Sequence, residues 1–241
     1  MYRITLFAIL IILASCSSKN KSDLESMNIK GKVKCIQEKN FSNRNELQTN
    51  REFLFNESGQ VVSITNYPTS GQSIQRTMNH YNLWGRLIEQ NFFENDSLVL
   101  KQIYLKTKTK ADSILMYSST RDLVSIGVLS YNKSDVIAES VIYDSARIKT
   151  YTENSEYNDL GKLIRSKISS LDSIIDGDTY LYAYDSQGRV NSYSYVNRVG
   201  ELVHNETYTY TTDQLNNWIE KTILDSNGDK IGIVKRKLEY N

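Results

Sequence analysis

The sequence predicts an all-β fold: a long antiparallel meander of repeated β-hairpins forming a curved open sheet, with a barrel or a sandwich as the alternatives. Three observations predict it. A short unit recurs along the chain, an aromatic or branched residue, Asp or Asn, two variable residues, Gly, a polar residue and an aliphatic, as in Tyr184-Asp185-Ser186-Gln187-Gly188-Arg189-Val190. Between units the residues alternate, Tyr180, Tyr182 and Tyr184 with Leu181 and Ala183, which is the period of a strand. The composition is β-rich and polar: 17 Tyr stand against 6 Phe, and 39% hydrophobic residues suit a sheet with one covered and one wet face better than a thick two-sided core.

The chain opens on an export signal, residues 1–15, with Arg3 as its charged start and an apolar run from Leu6 to Leu13 that is too short to span a bilayer comfortably. Leu13-Ala14-Ser15-Cys16 resembles the lipobox of bacterial lipoproteins. That resemblance implies cleavage before Cys16, lipidation of Cys16, and a mature protein held to a membrane by its N-terminal lipid. Ser17 in the next position implies the outer membrane, facing the periplasm or the cell surface. Residues 16–31 are polar and lack a sustained period, so they read as a flexible tether.

The β-hairpin repeat domain then runs over 32–241. Its repeat turns are expected at Asn45, Gly59, Gly85, Gly161, Gly188, Gly200 and Asn216, with looser copies at Gly71, Ser97, Asp135, Gly177 and Gly228. In each, the Asp or Asn accepts from backbone N–H groups ahead of it, and the Gly, or an Asn replacing it, takes a positive φ. That is a type I turn closed by a G1 bulge, which pairs Asp185 with Arg189 and sets Tyr184 opposite Val190. Turn centres from Asn45 to Ser97 advance by fourteen and twelve residues in alternation, as expected when successive turns lie on opposite edges of a meander. The pattern weakens over residues 105–120, around the Lys106-Thr107-Lys108-Thr109-Lys110 run, which reads as a guarded edge strand or as a break between sub-sheets.

Tyr182-Ala183-Tyr184-Asp185-Ser186-Gln187-Gly188-Arg189-Val190 resembles the YD repeat of the Rhs family, Tyr-x-Tyr-Asp-x-x-Gly-Arg-Leu; Tyr81 to Leu87 and Tyr157 to Leu163 match it with Asn for Asp. The resemblance implies β-strips that spiral into a shell, and repeats described as carbohydrate-binding. This chain has too few repeats to enclose a cargo, so the resemblance speaks to structure and not to an activity.

Little chemistry is written in the sequence. Removing residues 1–15 takes away one Arg and no acid, leaving 28 basic against 28 acidic residues, so there is no electrostatic case for nucleic acid. Cys35 is then the remaining thiol and reads as a small buried hydrophobe. His80 and His204 lie far apart without ligand spacing, and the acidic turns Asp172–Asp178 and Asp225–Asp229 are explained by turn geometry, so no metal or cofactor is expected. Four Asp-Ser sites, Ser97, Ser113, Ser145 and Ser173, resemble the O-glycosylation motif of one group of secreted Gram-negative proteins. The expectation is a non-enzymatic, membrane-anchored binding or scaffolding module for a glycan or a protein partner, presenting Tyr180, Tyr182 and Tyr184 as its face. An immunity or accessory protein to a toxin or transporter is the alternative, and a glycan hydrolase the third reading.

Overall fold

The computed structural model describes residues 22–69, 71–106, 111–171 and 176–241. Cys16 and Ser173, and the signal segment before Cys16, lie outside the described residues. Among the described residues a short helix, α1 (Asp23–Ser26), precedes sixteen strands. The first eight are β1 (Val33–Ser42), β2 (Leu47–Phe55), β3 (Val61–Tyr67), β4 (Gln75–Tyr81), β5 (Leu87–Glu94), β6 (Ser97–Leu105), β7 (Ala111–Ser118) and β8 (Leu123–Tyr131). The second eight are β9 (Ile137–Asp144), β10 (Lys149–Tyr157), β11 (Leu163–Ser170), β12 (Thr179–Tyr184), β13 (Val190–Val196), β14 (Leu202–Thr212), β15 (Trp218–Leu224) and β16 (Lys230–Tyr240).

Each strand pairs antiparallel with its chain neighbours, and β16 returns to pair with β1 from Val33↔Tyr240 to Ser42↔Gly232, so the meander is a closed sixteen-stranded barrel. The leading expectation of an open sheet is thereby corrected in favour of the barrel. The physical reason is cumulative. Register shifts stand beside the turns, as at Leu54/Phe55, His80/Tyr81, Ala183/Tyr184 and Thr211/Thr212, and each bulge adds twist and coil to the sheet. Over sixteen strands that coiling brings the two edges together, and pairing them removes both free edges. β6 and β7 pair from Leu100↔Ser118 to Leu105↔Ser113, so the ladder continues across the weak stretch near 105–120.

The turns follow the expected chemistry closely. Asn56, Asn82, Asn132, Asn158, Asp185, Asn197, Asp213 and Asp225 each accept through Oδ1 from the N–H groups two and four residues ahead, at 2.8 to 3.3 Å. The bulge position of those turns carries positive φ at Gly59, Gly85, Asp135, Gly161, Gly188, Gly200, Asn216 and Gly228, and Asn45, Gly71 and Gly177 have it too. At the β5–β6 turn the left-handed residues are Asn95 and Asp96 rather than Ser97, a tighter two-residue turn. Arg121 and Arg147 hold the same conformation, which the side-chain pattern does not disclose.

Residues 22–31, expected to belong to a tether, instead fold onto the barrel. Ser22 caps α1 through a reciprocal capping box with Glu25. Leu24 N–H donates to the Gly59 carbonyl at 3.0 Å, and four residues later Asn28 Nδ2 donates to the Gln187 carbonyl at 2.9 Å. Those two turns are six strand spacings apart around the wall, about 29 Å, whereas four residues reach at most about 14 Å. The segment therefore crosses the mouth as a chord. Lys30 then exchanges two hydrogen bonds with the Asn217 side chain, at 2.7 and 2.9 Å, before entering β1.

Because this strap lies over the lumen, its apolar contacts identify the inner wall: Leu24 and Ile29 pack with Ile36, Phe53, Phe55, Val61 and Ile64. Following the register around the ring puts Gln90, Gln102, Ser140, Glu153, Ser166 and Ile168 on that inner side, all buried. The opposite parity faces outward and is polar over most of the ring: Thr207, Thr209 and Thr211, Lys235, Lys237 and Glu239, Gln37 and Lys39, Arg165 and Lys167.

Candidate functional site

Tyr180, Tyr182 and Tyr184 lie on the inner wall, not on an exterior surface, and each is half-buried. They are part of a larger aromatic wall over β10 to β15. Tyr180 stacks on Tyr195 with ring centres 5.4 Å apart and planes 21° from parallel, and on Tyr193 at 6.3 Å and 15°. Tyr182 meets Tyr193 at 5.6 Å, Tyr193 meets the His204 ring at 6.1 Å, and Tyr210 meets Trp218 at 5.7 Å. Register causes this: Tyr180↔Tyr195↔His204 and Tyr182↔Tyr193↔Glu206 are two consecutive inward rows across β12, β13 and β14.

Depth grades the wall. Near the mouth opposite the strap, the Tyr195 hydroxyl donates to Asp178 Oδ2 at 3.0 Å, and His204 is exposed, with its Nε2 at 2.8 Å from Glu206 Oε1. Desolvation, with the Asp178 carboxylate second, pushes the Tyr180 hydroxyl up to about 12. Deeper, the Tyr208 hydroxyl donates to Glu206 Oε2 at 2.6 Å, and burial raises its pKa strongly. On β10, Tyr151 and Glu153 are both buried: the Tyr151 hydroxyl donates to Glu153 at 3.3 Å, the Ser166 hydroxyl donates to the other carboxylate oxygen, and desolvation raises Glu153 above its ordinary range.

Three tyrosines perform a structural task that sequence reasoning missed. The hydroxyls of Tyr81, Tyr184 and Tyr210 donate to the carbonyls of Val61, Leu163 and Val190, at 2.8, 2.7 and 2.5 Å. Each acceptor lies near the start of the preceding strand, beyond the last paired residue of that seam. The hydroxyl satisfies a carbonyl that the splayed neighbour cannot reach. The excess of Tyr over Phe was the available signal.

The other expected sites scatter. Ser97 and Ser145 are exposed, the first opening β6 and the second in the β9–β10 turn; Ser113 is half-buried, facing outward on β7 opposite Val128. Cys35 is buried and free, and desolvation raises its thiol. His80 faces outward against Asn91, remote from His204. Among the described residues no three His, Cys, Asp or Glu side chains are grouped to hold a metal, and no helix is long and apolar enough to cross a membrane. An open groove of about 430 Å³ lies outside β11 to β13, lined by Arg165, Lys167, Leu181 and Arg198.

No known protein family and no curated protein matches the chain. Among solved structures, a porin-like protein from Bacteroides uniformis is similar over 86% of this chain and 98% of its own, at 11% identity and a TM-score of 0.59. A porin-like protein from Bacteroides vulgatus covers 88% of this chain and 99% of its own at 13% identity, with a TM-score of 0.44. A putative outer membrane lipoprotein-sorting protein domain from Vibrio parahaemolyticus covers 86% and 84% at 10% identity, with a TM-score of 0.27. The first of these shares the architecture with this chain; the likeness is one of fold.

Proposed function

We propose that this chain is an envelope-anchored, non-enzymatic binding module that takes carbohydrate against the tyrosine wall inside its barrel. The observation that carries this reading is the stacked row Tyr180–Tyr195 with Tyr193 and Tyr182 beside it, partly accessible and bordered by Asp178, Glu206 and His204. Sugar rings present C–H faces to aromatic planes and hydroxyls to carboxylates and imidazole, and this wall offers both within one row. Envelope placement, in the outer membrane through lipid on Cys16, rests on the Leu13–Cys16 leader, and kinship to Rhs-type repeats rests on the recurring turn and its tyrosine. In this reading the barrel stands in water and does not conduct across a bilayer. A spanning barrel needs an apolar outer band on all sides, and here Lys235–Glu220, Arg165–Glu156 and Lys101–Glu89 ion pairs occupy the outer wall.

A glycan array followed by calorimetry on the lipid-free chain tests the reading. The expected result is saturable binding to at least one glycan, weakened about tenfold or more in Tyr180→Ala and in Tyr195→Ala, about 1.4 kcal/mol. An array without a bound glycan would sink it.

A further inference from the structure

The inner wall holds a second feature, separate from the stacked tyrosines. On one ladder row Glu38 stands between Arg51 on β2 and Arg236 on β16. Arg236 is nine-tenths buried, with its side chain 10% exposed, and its Nε donates to Glu38 Oε2 at 2.8 Å. Its guanidinium lies over the Trp218 ring at 3.4 Å, so one face is covered by indole. Its Nη1 is buried and has no hydrogen-bond partner among the described residues. Arg51 spends its Nε on Asn66 Oδ1 at 2.7 Å.

One row along, Lys221 on β15 faces the same side, its ammonium 4.7 Å from the Tyr208 ring and 6.0 Å from the Trp218 ring. Among the described residues no carboxylate lies within 4 Å of that ammonium. Glu206, the next acid along the wall, is already held by His204 and by the Tyr208 hydroxyl. Of these three cations, Arg236 alone has a carboxylate at contact distance among the described residues. A guanidinium kept solely to brace the barrel would have its fork satisfied, because a buried N–H without a partner costs free energy. An oxyanion is the group that completes it: one oxygen accepts from Nη1, and the neighbouring ammonium adds charge without demanding direction.

We propose that Arg236, Lys221 and Arg51 form an anion subsite on the inner wall that takes a carboxylate or phosphate group of the bound ligand, with Trp218 and Tyr208 as its apolar floor. It rests on the carbohydrate reading and sharpens it: the ligand is an acidic glycan, bearing a uronate carboxylate or a phosphate substituent. The tyrosine row contacts the sugar faces, and the cations fix the charged substituent.

The test uses the whole chain carrying Trp84→Phe. Trp84 sits exposed in the β4–β5 turn, and the chain has two Trp, so Trp218 becomes the sole indole reporter. Sodium glucuronate and sodium phosphate are titrated in separate arms, with sodium chloride at matched ionic strength, while Trp218 emission and heat are followed; neutral cellohexaose forms a fourth arm. The proposal expects a saturable change with glucuronate or phosphate that chloride does not reproduce, weakened at least tenfold in Lys221→Met and in Arg236→Gln. Whichever arm responds identifies the source of the anion. Flat glucuronate and phosphate arms, a chloride response of equal size, or unchanged affinity in Lys221→Met would overturn it. The neutral arm, with Tyr180→Ala, reports the carbohydrate reading on its own. Lys221→Met keeps the aliphatic stem, so it serves where Arg236→Gln does not fold, as judged by its thermal midpoint.

Discussion

Glu153 shows how much a single inward position is constrained. It is 4% exposed, and desolvation raises its pKa despite the bonds from Ser166 and Tyr151. A carboxyl raised above its ordinary 4.5 favours folding in its neutral form. That contribution is fully present below about pH 4.5 and is lost as pH rises through the folded value. Glu153→Gln, neutral at every pH, is expected to raise the thermal midpoint at pH 7 to 8, with the gain shrinking toward pH 4; parallel curves for the two proteins would refute this assignment. Among the serines, the exposed Ser97 and Ser145 are the positions where the glycosylation reading expects modified peptides from the native host, and intact-peptide mass spectrometry decides it. Ser113, half-buried in the middle of a ladder, is expected unmodified.

At the scale of the element, a hairpin is closed by its turn and joined to the next hairpin by its tyrosine. Gly188 has φ 78° and a Cβ there would meet Lys162 Nζ at 2.8 Å, the ammonium that donates to the Gly188 carbonyl. Gly188→Ala is expected to destabilise by about 1–2 kcal/mol, and Gly188→Asn by less, as Asn216 already occupies the matching position at φ 62°. Urea unfolding separates the two. Tyr184→Phe leaves the Leu163 carbonyl without its donor and is expected to cost about 1–3 kcal/mol. Tyr193→Phe, which keeps the stacking ring, is expected to change stability by less than about 0.5 kcal/mol. Equal losses in the two would mean that the hydroxyl latch contributes nothing.

For the whole molecule, the strap and the closing seam decide what the lumen is. Leu24 is 6% exposed against Ile36, Phe53 and Ile64, so the strap caps an apolar end of an otherwise polar interior. Leu24→Ala is expected to cost about 2–5 kcal/mol and to do so within one cooperative transition; a separate early transition would show the strap to be independent of the barrel. Gly232 marks the seam, since a Cβ there would meet the Phe41 carbonyl at 3.0 Å across β1 and β16. One mouth is crossed by the strap, and the aromatic wall meets the opposite mouth at Tyr195 and His204, the end from which the proposed ligand is expected to enter.

The sequence by itself determined the local grammar: all-β, antiparallel, turns at Gly59, Gly85, Gly161, Gly188, Gly200, Asn216 and Gly228, and Tyr184 opposite Val190. These are set by interactions within about seven residues, where Asp and Gly leave few conformations open. It also marked the alternation that puts Tyr180, Tyr182 and Tyr184 on one face. Which face that is, and whether it stays open, required the ring to close, because closure is the sum of small twists and bulges that no single unit encodes. The strap was illegible for a related reason: four helical residues carry no period, and Leu24 and Ile29 acquire meaning only against walls contributed by β1, β2 and β3. The Arg51–Glu38–Arg236–Lys221 cluster joins residues from opposite ends of the chain. Only the pairing of the first strand with the last, which sets Arg236 beside the Glu38 that also faces Arg51, brings that chemistry into being.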